Sequence, residues 1–348
     1  MRNTKQILQV AATYIGTVVG AGFATGKEIV EFFISSGILG LLGILLTGIC
    51  FIWIGTKIMT LAHRARFRSY EQFNHYLFGQ RVGSLVNLLF LIILFGSTSV
   101  MISGTGSLFY EQMGIPAIWG TLLIVGLCFF VMLKGLKGIL TVNSLVVPIM
   151  ILFTLLMAFF TLSHGAILNR VQPSGLLVHS SWLMNAFIYI SYNLTMSEVI
   201  LVPLGGEMEN EKIVKWGGFW GGLGLTVILL ASFLVLYALP NVQQYNIPMA
   251  ESVRSLGVFI HFLYVFVVFG EIFSTVIGNV FGLSRQIHDR LHFPEYLCVL
   301  MILFVCILIS QIDFGILLPL FYRFFGGISL FIFIFIVFYP LSRLNIKK

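Results

Sequence analysis

Ten apolar stretches, separated by short polar connections, make up most of the chain. Each is long enough to cross a bilayer as a helix, which takes about 20 residues. The pattern therefore predicts an all-α polytopic membrane protein, a single transmembrane domain of about ten helices. Residues 70–79 predict a short amphipathic piece at the membrane surface. The ten spans cover roughly residues 6–35, 38–62, 83–110, 116–133, 138–163, 181–204, 216–239, 256–284, 294–311 and 314–340.

Composition narrows the class of protein further. Of the 348 residues, 58% are hydrophobic and only 9% are charged, which is typical of a membrane protein and of no soluble domain. In a membrane protein, the basic residues behind the net charge of +7 indicate which loops lie in the cytoplasm, and they do not indicate a nucleic-acid partner. The four cysteines lie in apolar stretches without paired spacing, so they predict neither a disulfide framework nor a metal site.

The basic residues predict how the chain lies in the membrane. With the amino end inside, 16 of the 20 lysines and arginines fall on the inner side, and 4 lie outside or within spans. Positive residues concentrate in cytoplasmic loops. We therefore expect a multi-pass plasma-membrane protein with both termini in the cytoplasm.

Ten spans divide naturally into two sets of five. Repeats with an odd number of helices lie in opposite orientations, as in secondary transporters. We predict a first repeat over residues 1–165 and a second over 166–348, so that span 1 corresponds to span 6. An ungapped alignment matches Tyr14-Ile15 with Tyr189-Ile190, which is a faint echo of that relation.

The first span contains four glycines within eleven residues, at positions 16, 20, 22 and 26. Each glycine costs a helix about 1 kcal/mol relative to alanine. A helix broken inside a bilayer is tolerated only where it is buried in protein or lines a cavity. A break near Gly20 indicates a transporter binding site. Close helix packing through small residues explains the same glycines equally well.

Span 6 carries a polar run at its centre, residues 191–198, followed by Pro203. Proline removes a backbone donor and disturbs a helix just upstream. We favour a second broken helix here over a simple hydrogen-bonded packing seam. In span 3, Ser99, Ser103 and Ser107 share one helix face, which suits a pore lining and tight packing equally.

Charged residues within the spans are functional candidates. Glu271 lies near the centre of span 8, where a carboxyl is expected to be protonated or paired with a cation. In the outer half of span 1, Lys27, Glu28 and Glu31 predict a solvated vestibule. Asp313 and Arg323 predict surface charges in the outer part of span 10, and we favour this over a gate pair between Lys27 and Asp313.

The stretch 20–29, Gly-Ala-Gly-Phe-Ala-Thr-Gly-Lys-Glu-Ile, resembles the YkvI family, which is grouped with amino acid permeases. Looser matches follow at residues 193–197 and in span 8. That family is placed in the amino acid–polyamine–organocation superfamily, whose members share the LeuT fold. Branched-chain amino acid carriers have a similar glycine break, so the motif does not define the substrate.

The resemblance implies that breaks in spans 1 and 6 cradle an amino acid. The amides of residues 22–24 would face its carboxylate, and the carbonyls of residues 18–21 and 191–193 its ammonium group. A sodium ion would lie between the carbonyls of Gly16 and Val19 and the hydroxyls of Ser274 and Thr275. Glu271, one turn earlier, offers a proton site instead.

These patterns predict an ion-coupled secondary transporter of a small zwitterion, with an amino acid favoured, working by alternating access. The coupling ion is Na⁺ or H⁺, and we expect no cofactor and no metal beyond the sodium. An amino-acid-sensing receptor subunit of the spore germinant type is the alternative, and a homo-oligomer is compatible with the sequence. The candidate substrate-binding residues are Gly20, Ala21, Gly22, Phe23, Ala24, Ser99, Ser103, Ser191, Asn193 and Thr195, and the candidate coupling residues are Gly16, Val19, Glu271, Ser274 and Thr275.

An enzyme is the least favoured class. The seven histidines are scattered, mostly at span ends and in loops. No span carries a paired intramembrane acid, and the chain has no phosphate loop. The predicted partners are therefore a small solute and the lipid bilayer.

Overall fold

The computed structural model describes residues 2–133, 136–163, 182–254 and 256–339, and these residues form helices and connecting turns without a strand. The predicted repeat boundary between residues 165 and 166 lies outside this part of the chain, as does the basic tail after residue 339. The helices are α1 Arg2–Val18, α2 Ala21–Thr25, α3 Lys27–Phe32, α4 Leu39–Cys50, α5 Thr56–Ala65, α6 Tyr70–Met113, α7 Ala117–Met132, α8 Leu136–Ser163, α9 Trp182–Glu207, α10 Glu211–Ala238, α11 Pro248–Arg254, α12 Val258–Leu291, α13 Glu295–Ile309 and α14 Phe314–Phe338.

Within the residues that the structure describes, six continuous helical segments are long and apolar enough to cross a membrane: Leu39–Ala65, which combines α4 and α5, together with α6, α9, α10, Val258–His288 of α12, and α14. Three shorter apolar helices, at Ala117–Met132, Pro148–Ser163 and Glu295–Ile309, occupy further predicted spans. Large apolar side chains point outward, and Phe338 at 79% exposure is one example. The chain is thus a multi-pass membrane protein, while the count of ten and the inverted repeat stay predictions.

The first span is interrupted where its glycines predict it. Residues 19 and 20 are not helical, and Gly20 has an extended backbone with φ −106° and ψ −171°. A second bend follows at Gly26, whose φ of 82° lies in the left-handed region that favours glycine. A Cβ there would also meet Leu236 at 2.9 Å. Span 1 therefore consists of α1, α2 and α3, and the predicted break is confirmed.

The predicted break in span 6 is wrong, because α9 is one uninterrupted helix from Trp182 to Glu207. Its polar side chains bond to carbonyls of the preceding turn. Asn193 donates to Tyr189 O at 3.0 Å, and Ser197 donates to Leu194 O at 2.8 Å. Such local bonds satisfy polar groups without opening the helix. Pro203, near the end of α9, leaves the helix intact.

Small residues allow α1 to pack deep in the bundle, along α10. A Cβ at Gly221 would lie 2.6 Å from the ring of Tyr14, so the glycine makes room for that side chain. The Tyr14 hydroxyl donates to Phe51 O at 2.8 Å, at the start of a π-helical turn, Phe51–Gly55, which joins α4 and α5. This anchored contact holds α1 up to the residues just before its break.

The long helix α6 contains the predicted surface piece. Gly79, with φ 76° and ψ 173°, separates its first residues from the part that spans the membrane. The hydroxyl of Ser69 caps the first turn by accepting from the Gln72 amide at 3.3 Å. The kink thus turns the chain at the end of the segment predicted over residues 70–79.

Candidate functional site

The break between α1 and α2 leaves backbone groups without helical partners. The last carbonyls of α1 and the first amides of α2 have no continuing helix to bond to. Helix α12 runs along this gap. Its Tyr264 hydroxyl donates to Ala24 O at 3.0 Å. Its Thr275 lies beside Gly20, so that a Cβ added to the glycine would be 3.4 Å from Thr275 Oγ1. The structure therefore brings Gly20 and Thr275, two of the predicted site residues, into contact.

Glu271 lies one turn before Thr275 on the same helix and is completely buried. Neither of its carboxyl oxygens has a hydrogen-bond partner among the described residues. Thr275 Oγ1 donates to the Glu271 carbonyl at 3.0 Å, which leaves the hydroxyl oxygen able to accept. Ser274, beside them, is also buried. A buried carboxyl without a partner next to an interrupted helix can take up a proton or hold a cation.

The residues around the break differ in exposure. Gly20, Thr275 and Asn279 are partly exposed, whereas Phe23 and Glu28 are buried. Asn279 lies one turn beyond Thr275, and α12 runs antiparallel to the first span, because its earlier Tyr264 contacts the later Ala24. The partly exposed residues therefore lie toward α1, and the buried ones lie toward α3; we call the latter the closed side of the gap.

Glu28 is part of that closed side, so its predicted place in a solvated vestibule is wrong. Only 1% of the residue is exposed. Its carboxyl group folds back from α3 against Gly22, where an added Cβ would lie 1.8 Å from Oε1. Oε1 accepts a hydrogen bond from the Tyr322 hydroxyl of α14. Tertiary packing against α14 removes this carboxyl from water, and no local sequence pattern signals that.

The neighbouring charges fall into two groups. Lys27 is also buried, at 8% exposure, and donates to the carbonyls of Tyr245 at 2.9 Å and of Gln243 at 3.3 Å. Carbonyls of the loop between α10 and α11 thus stabilise its charge, whereas the sequence predicted a solvated vestibule. Glu31 pairs with the exposed Arg323, and the exposed Asp313 caps α14 by accepting from the Gly315 amide.

Aromatic rings surround the Glu28 carboxyl. We call Tyr189, Tyr192 and Tyr322 the tyrosine cluster. The rings of Tyr192 and Tyr322 are 4.0 Å apart, and Phe32 lies 5.7 Å from Tyr189 and 5.8 Å from Tyr322. The buried Tyr189 hydroxyl has no hydrogen-bond partner among the described residues. Sequence reasoning missed this cluster, although Tyr192 stands within the polar run of span 6 and Tyr189 just before it.

The predicted site residues of α9 are used in packing. Ser191 donates to Gly326 O of α14 at 2.9 Å, and Thr195 is buried. Because the helix is continuous, the carbonyls of residues 191–193 accept the amides four residues later. The ammonium site that the resemblance implied at these carbonyls is therefore wrong.

The two serines predicted on span 3 donate hydrogen bonds to backbone carbonyls. Ser99 donates to Phe95 O at 2.8 Å within its own helix. Ser103 donates to Ile312 O at 2.7 Å and lines a cavity of about 320 Å³ between the ends of α6, α7 and α13. These contacts are those of helix packing and of a cavity whose lining does not include Gly20.

No family model matches the chain. The chain is 42% identical over 323 residues to the uncharacterized membrane protein YkvI of Bacillus subtilis (strain 168), covering 92% of each protein. It is 26% identical over 334 residues to the uncharacterized protein YyaD of the same organism, covering 94% of this chain and 95% of that protein.

Solved structures share the arrangement of the helices. A mutant of the Eremococcus coleocola manganese transporter superimposes with a TM-score of 0.68 at 13% identity, covering 96% of this chain and 79% of that one. MhsT in complex with L-phenylalanine gives 0.65 at 15% identity, with 94% and 88% covered. Mhp1, a nucleobase-cation-symport-1 family transporter, gives 0.60 at 14% identity, with 98% and 81% covered. These neighbours are LeuT-fold transporters, so the all-α, LeuT-like class of fold is confirmed, while the ten helices and the inverted repeat stay predictions. The chain, by its identity to YkvI over nearly the whole of both proteins, belongs to the YkvI family of membrane proteins.

Proposed function

We propose that the protein is an ion-coupled secondary transporter of a small zwitterionic solute, with an amino acid as the favoured class. One observation carries the proposal: the interrupted first span lies against α12 at Thr275, one turn from Glu271, a buried carboxyl that has no partner among the described residues. Interrupted helices that meet coupling groups inside a bundle are the typical sites of secondary transporters.

The solute site is the gap itself. The amides of Ala21, Gly22 and Phe23 at the start of α2 are donors for a carboxylate, and Gly20 leaves the space beside them. The Ala24 amide, which the resemblance also implied as a donor to the solute, instead donates to Gly20 O at 2.9 Å. Access from the α1 side, where the residues around the break are partly exposed, is what one state of an alternating-access cycle requires. With cytoplasmic termini, as the basic residues predict, this is the inward-facing state.

Coupling is assigned to the groups beside the gap. The carbonyls of Gly16 and Val19, with the hydroxyls of Ser274 and Thr275, form an oxygen set that suits Na⁺. Glu271 suits H⁺, because a buried carboxyl that lacks a donor is stable when protonated. The two ions make different demands on Glu271, since only proton coupling needs it to titrate.

The comparisons support this class of protein. The structural neighbours are transporters, and one of them is bound to L-phenylalanine. Others concern manganese and a hydantoin, so the shared fold alone does not select the solute. The amino acid is proposed on the gap and its flanking donors.

The test is uptake into liposomes containing the purified protein. Each standard L-amino acid, radiolabelled, is offered under an imposed Na⁺ gradient, an imposed H⁺ gradient and neither. We expect at least one to accumulate under one of the gradients, and Glu271→Gln to abolish the H⁺ dependence if the proton is the coupling ion. The absence of accumulation for all of them would refute transport. Binding without accumulation would favour the receptor alternative.

A further inference from the structure

The closed side of the gap contains a second buried acid that the coupling scheme does not use. We propose that Glu28 and Tyr189 bind the ammonium group of the solute, and therefore that the protein selects solutes carrying a protonated amine. This inference rests on the proposed function and names the chemistry of its substrate. It concerns the same gap, because Glu28 lies against Gly22, two residues from the break.

Two polar groups in this pocket have unused bonding capacity. Glu28 Oε1 accepts from Tyr322, but Oε2 is buried without a partner among the described residues. The buried Tyr189 hydroxyl likewise has no hydrogen-bond partner among the described residues. Buried polar groups are nearly always paired in folded proteins. Glu28 Oε2 and the Tyr189 hydroxyl therefore mark a place that a ligand completes.

A donor with positive charge would complete this site and stabilise the ionised form of Glu28. Glu28 in its ionised form only accepts hydrogen bonds, and burying it without a counter-charge is costly. A protonated amine brings three donors and no acceptor. The surrounding rings of Phe32, Tyr189 and Tyr322 add an attraction for a cation that approaches their faces. The pocket therefore matches an ammonium group in both charge and donor count.

The pocket also replaces a function that α9 cannot perform. In a span with a break, free carbonyls would hold the ammonium, but those of α9 are used within its continuous helix. Gly22 is the residue that makes the replacement feasible, because any Cβ at that position would displace the Glu28 carboxyl. With the amine at Glu28, the carboxylate of a zwitterion reaches the first amides of α2, which are close to the same glycine.

The proposal makes a specific statement about substrate chemistry. An amino acid and the amine left after removal of its carboxyl group should both bind, because both keep the ammonium group. The acid left after removal of the amino group should not bind, because its only charge has the same sign as that of Glu28.

The experiment uses matched probes on the full-length protein in detergent. Each series contains an amino acid, the amine without its carboxyl group and the acid without its amino group. The three series are L-leucine, isoamylamine and isocaproate; L-phenylalanine, phenethylamine and hydrocinnamate; and L-alanine, ethylamine and propionate. Binding of each compound is measured by its competition with the amino acid that shows the highest uptake, and by the rise in melting temperature that it causes. In the series that binds, we expect the amine to compete and the deaminated acid to require a concentration at least about tenfold higher, which corresponds to about 1.4 kcal/mol.

Three variants identify the residues responsible. Glu28→Gln keeps the size of the side chain, and Tyr189→Phe removes only the hydroxyl. Both should weaken amine binding by about tenfold or more, the worth of one hydrogen bond to a charged group. Glu31→Gln is the matched control, because Glu31 lies outside the pocket and pairs with Arg323. It should bind as the unaltered protein does.

The outcomes separate the two proposals. If the unaltered protein accumulates an amino acid and both pocket variants bind it equally well, the ammonium assignment is overturned and the transport proposal stands. Equal competition by the deaminated acids has the same meaning. If the unaltered protein neither binds nor accumulates any probe, the transport proposal fails and the ammonium assignment fails with it. Should Glu28→Gln not fold, the affinity of Tyr189→Phe decides.

Discussion

Replacing Gly22 with alanine tests the most constrained contact of the site. The new Cβ would lie 1.8 Å from Glu28 Oε1, 2.5 Å from Cδ and 2.6 Å from Cγ. No real contact is that short, so the carboxyl must move away. It cannot move without losing its bond to Tyr322 or disturbing the packed rings of the tyrosine cluster.

The expected loss of stability follows from three contributions. Overpacking a buried site costs about 1–3 kcal/mol. The lost hydrogen bond to a charged group costs about 1.5–3 kcal/mol. Alanine in place of glycine in a helix returns about 1 kcal/mol. The free energy of unfolding should therefore fall by about 1.5–5 kcal/mol on these values.

The assay is reversible denaturation in mixed detergent micelles, with two comparisons. Gly126→Ala, in α7, is the matched control, because nothing lies within 4 Å of its added Cβ. It should be as stable as the original protein or slightly more so. Combining Gly22→Ala with Glu28→Ala removes the clash, so the alanine at position 22 should cost much less in that background. If Gly22→Ala is as stable as its control, or costs the same with and without Glu28, the described contact is wrong.

Three further outcomes follow from the structure. Gly55→Ala places a Cβ 2.0 Å from the Tyr14 hydroxyl and 2.5 Å from its Cζ, and it should destabilise by about 1–3 kcal/mol in the same denaturation assay. Tyr14→Leu removes these ring atoms and should relieve most of that loss, and an equal loss in both backgrounds would contradict the contact. Glu271→Gln should be at least as stable as the original, since it removes a buried acid without a partner, and a large loss in thermal stability would indicate an unseen ion pair. Lys27→Met removes the donor to the Tyr245 carbonyl and should speed hydrogen exchange in residues 240–247, and unchanged exchange would contradict a holding role.

The sequence predicted the break in span 1 but wrongly predicted one in span 6. Glycines near Gly20 lower helix stability whatever surrounds them, so their effect can be inferred locally. The polar run of α9 is ambiguous, because Asn193 bonds equally well to its own helix or to a ligand. Only the coordinates show that its amide contacts the preceding turn.

The burial of Glu28 could not be predicted for a different reason. Its partner Tyr322 lies 294 residues further along the chain, and nothing in either local pattern relates them. The contact of Gly20 with Thr275 was expected only through a resemblance to a known fold. Pattern reasoning located the spans and their polar centres, whereas the side chains that meet across α3, α9 and α14 depend on three-dimensional packing.

Filling the gap at Gly20 is the most direct test of the account. The extended backbone of Gly20 suits valine, and an added Cβ would make an ordinary contact of 3.4 Å with Thr275. The Gly20→Val protein should therefore fold, and the methyl groups of the valine should occupy the space beside α2. We predict that liposomes with the unaltered protein concentrate a labelled amino acid under an ion gradient, that Gly20→Ala retains part of this uptake, and that Gly20→Val loses it. Undiminished uptake by a folded Gly20→Val protein would contradict a solute site at the interrupted first span.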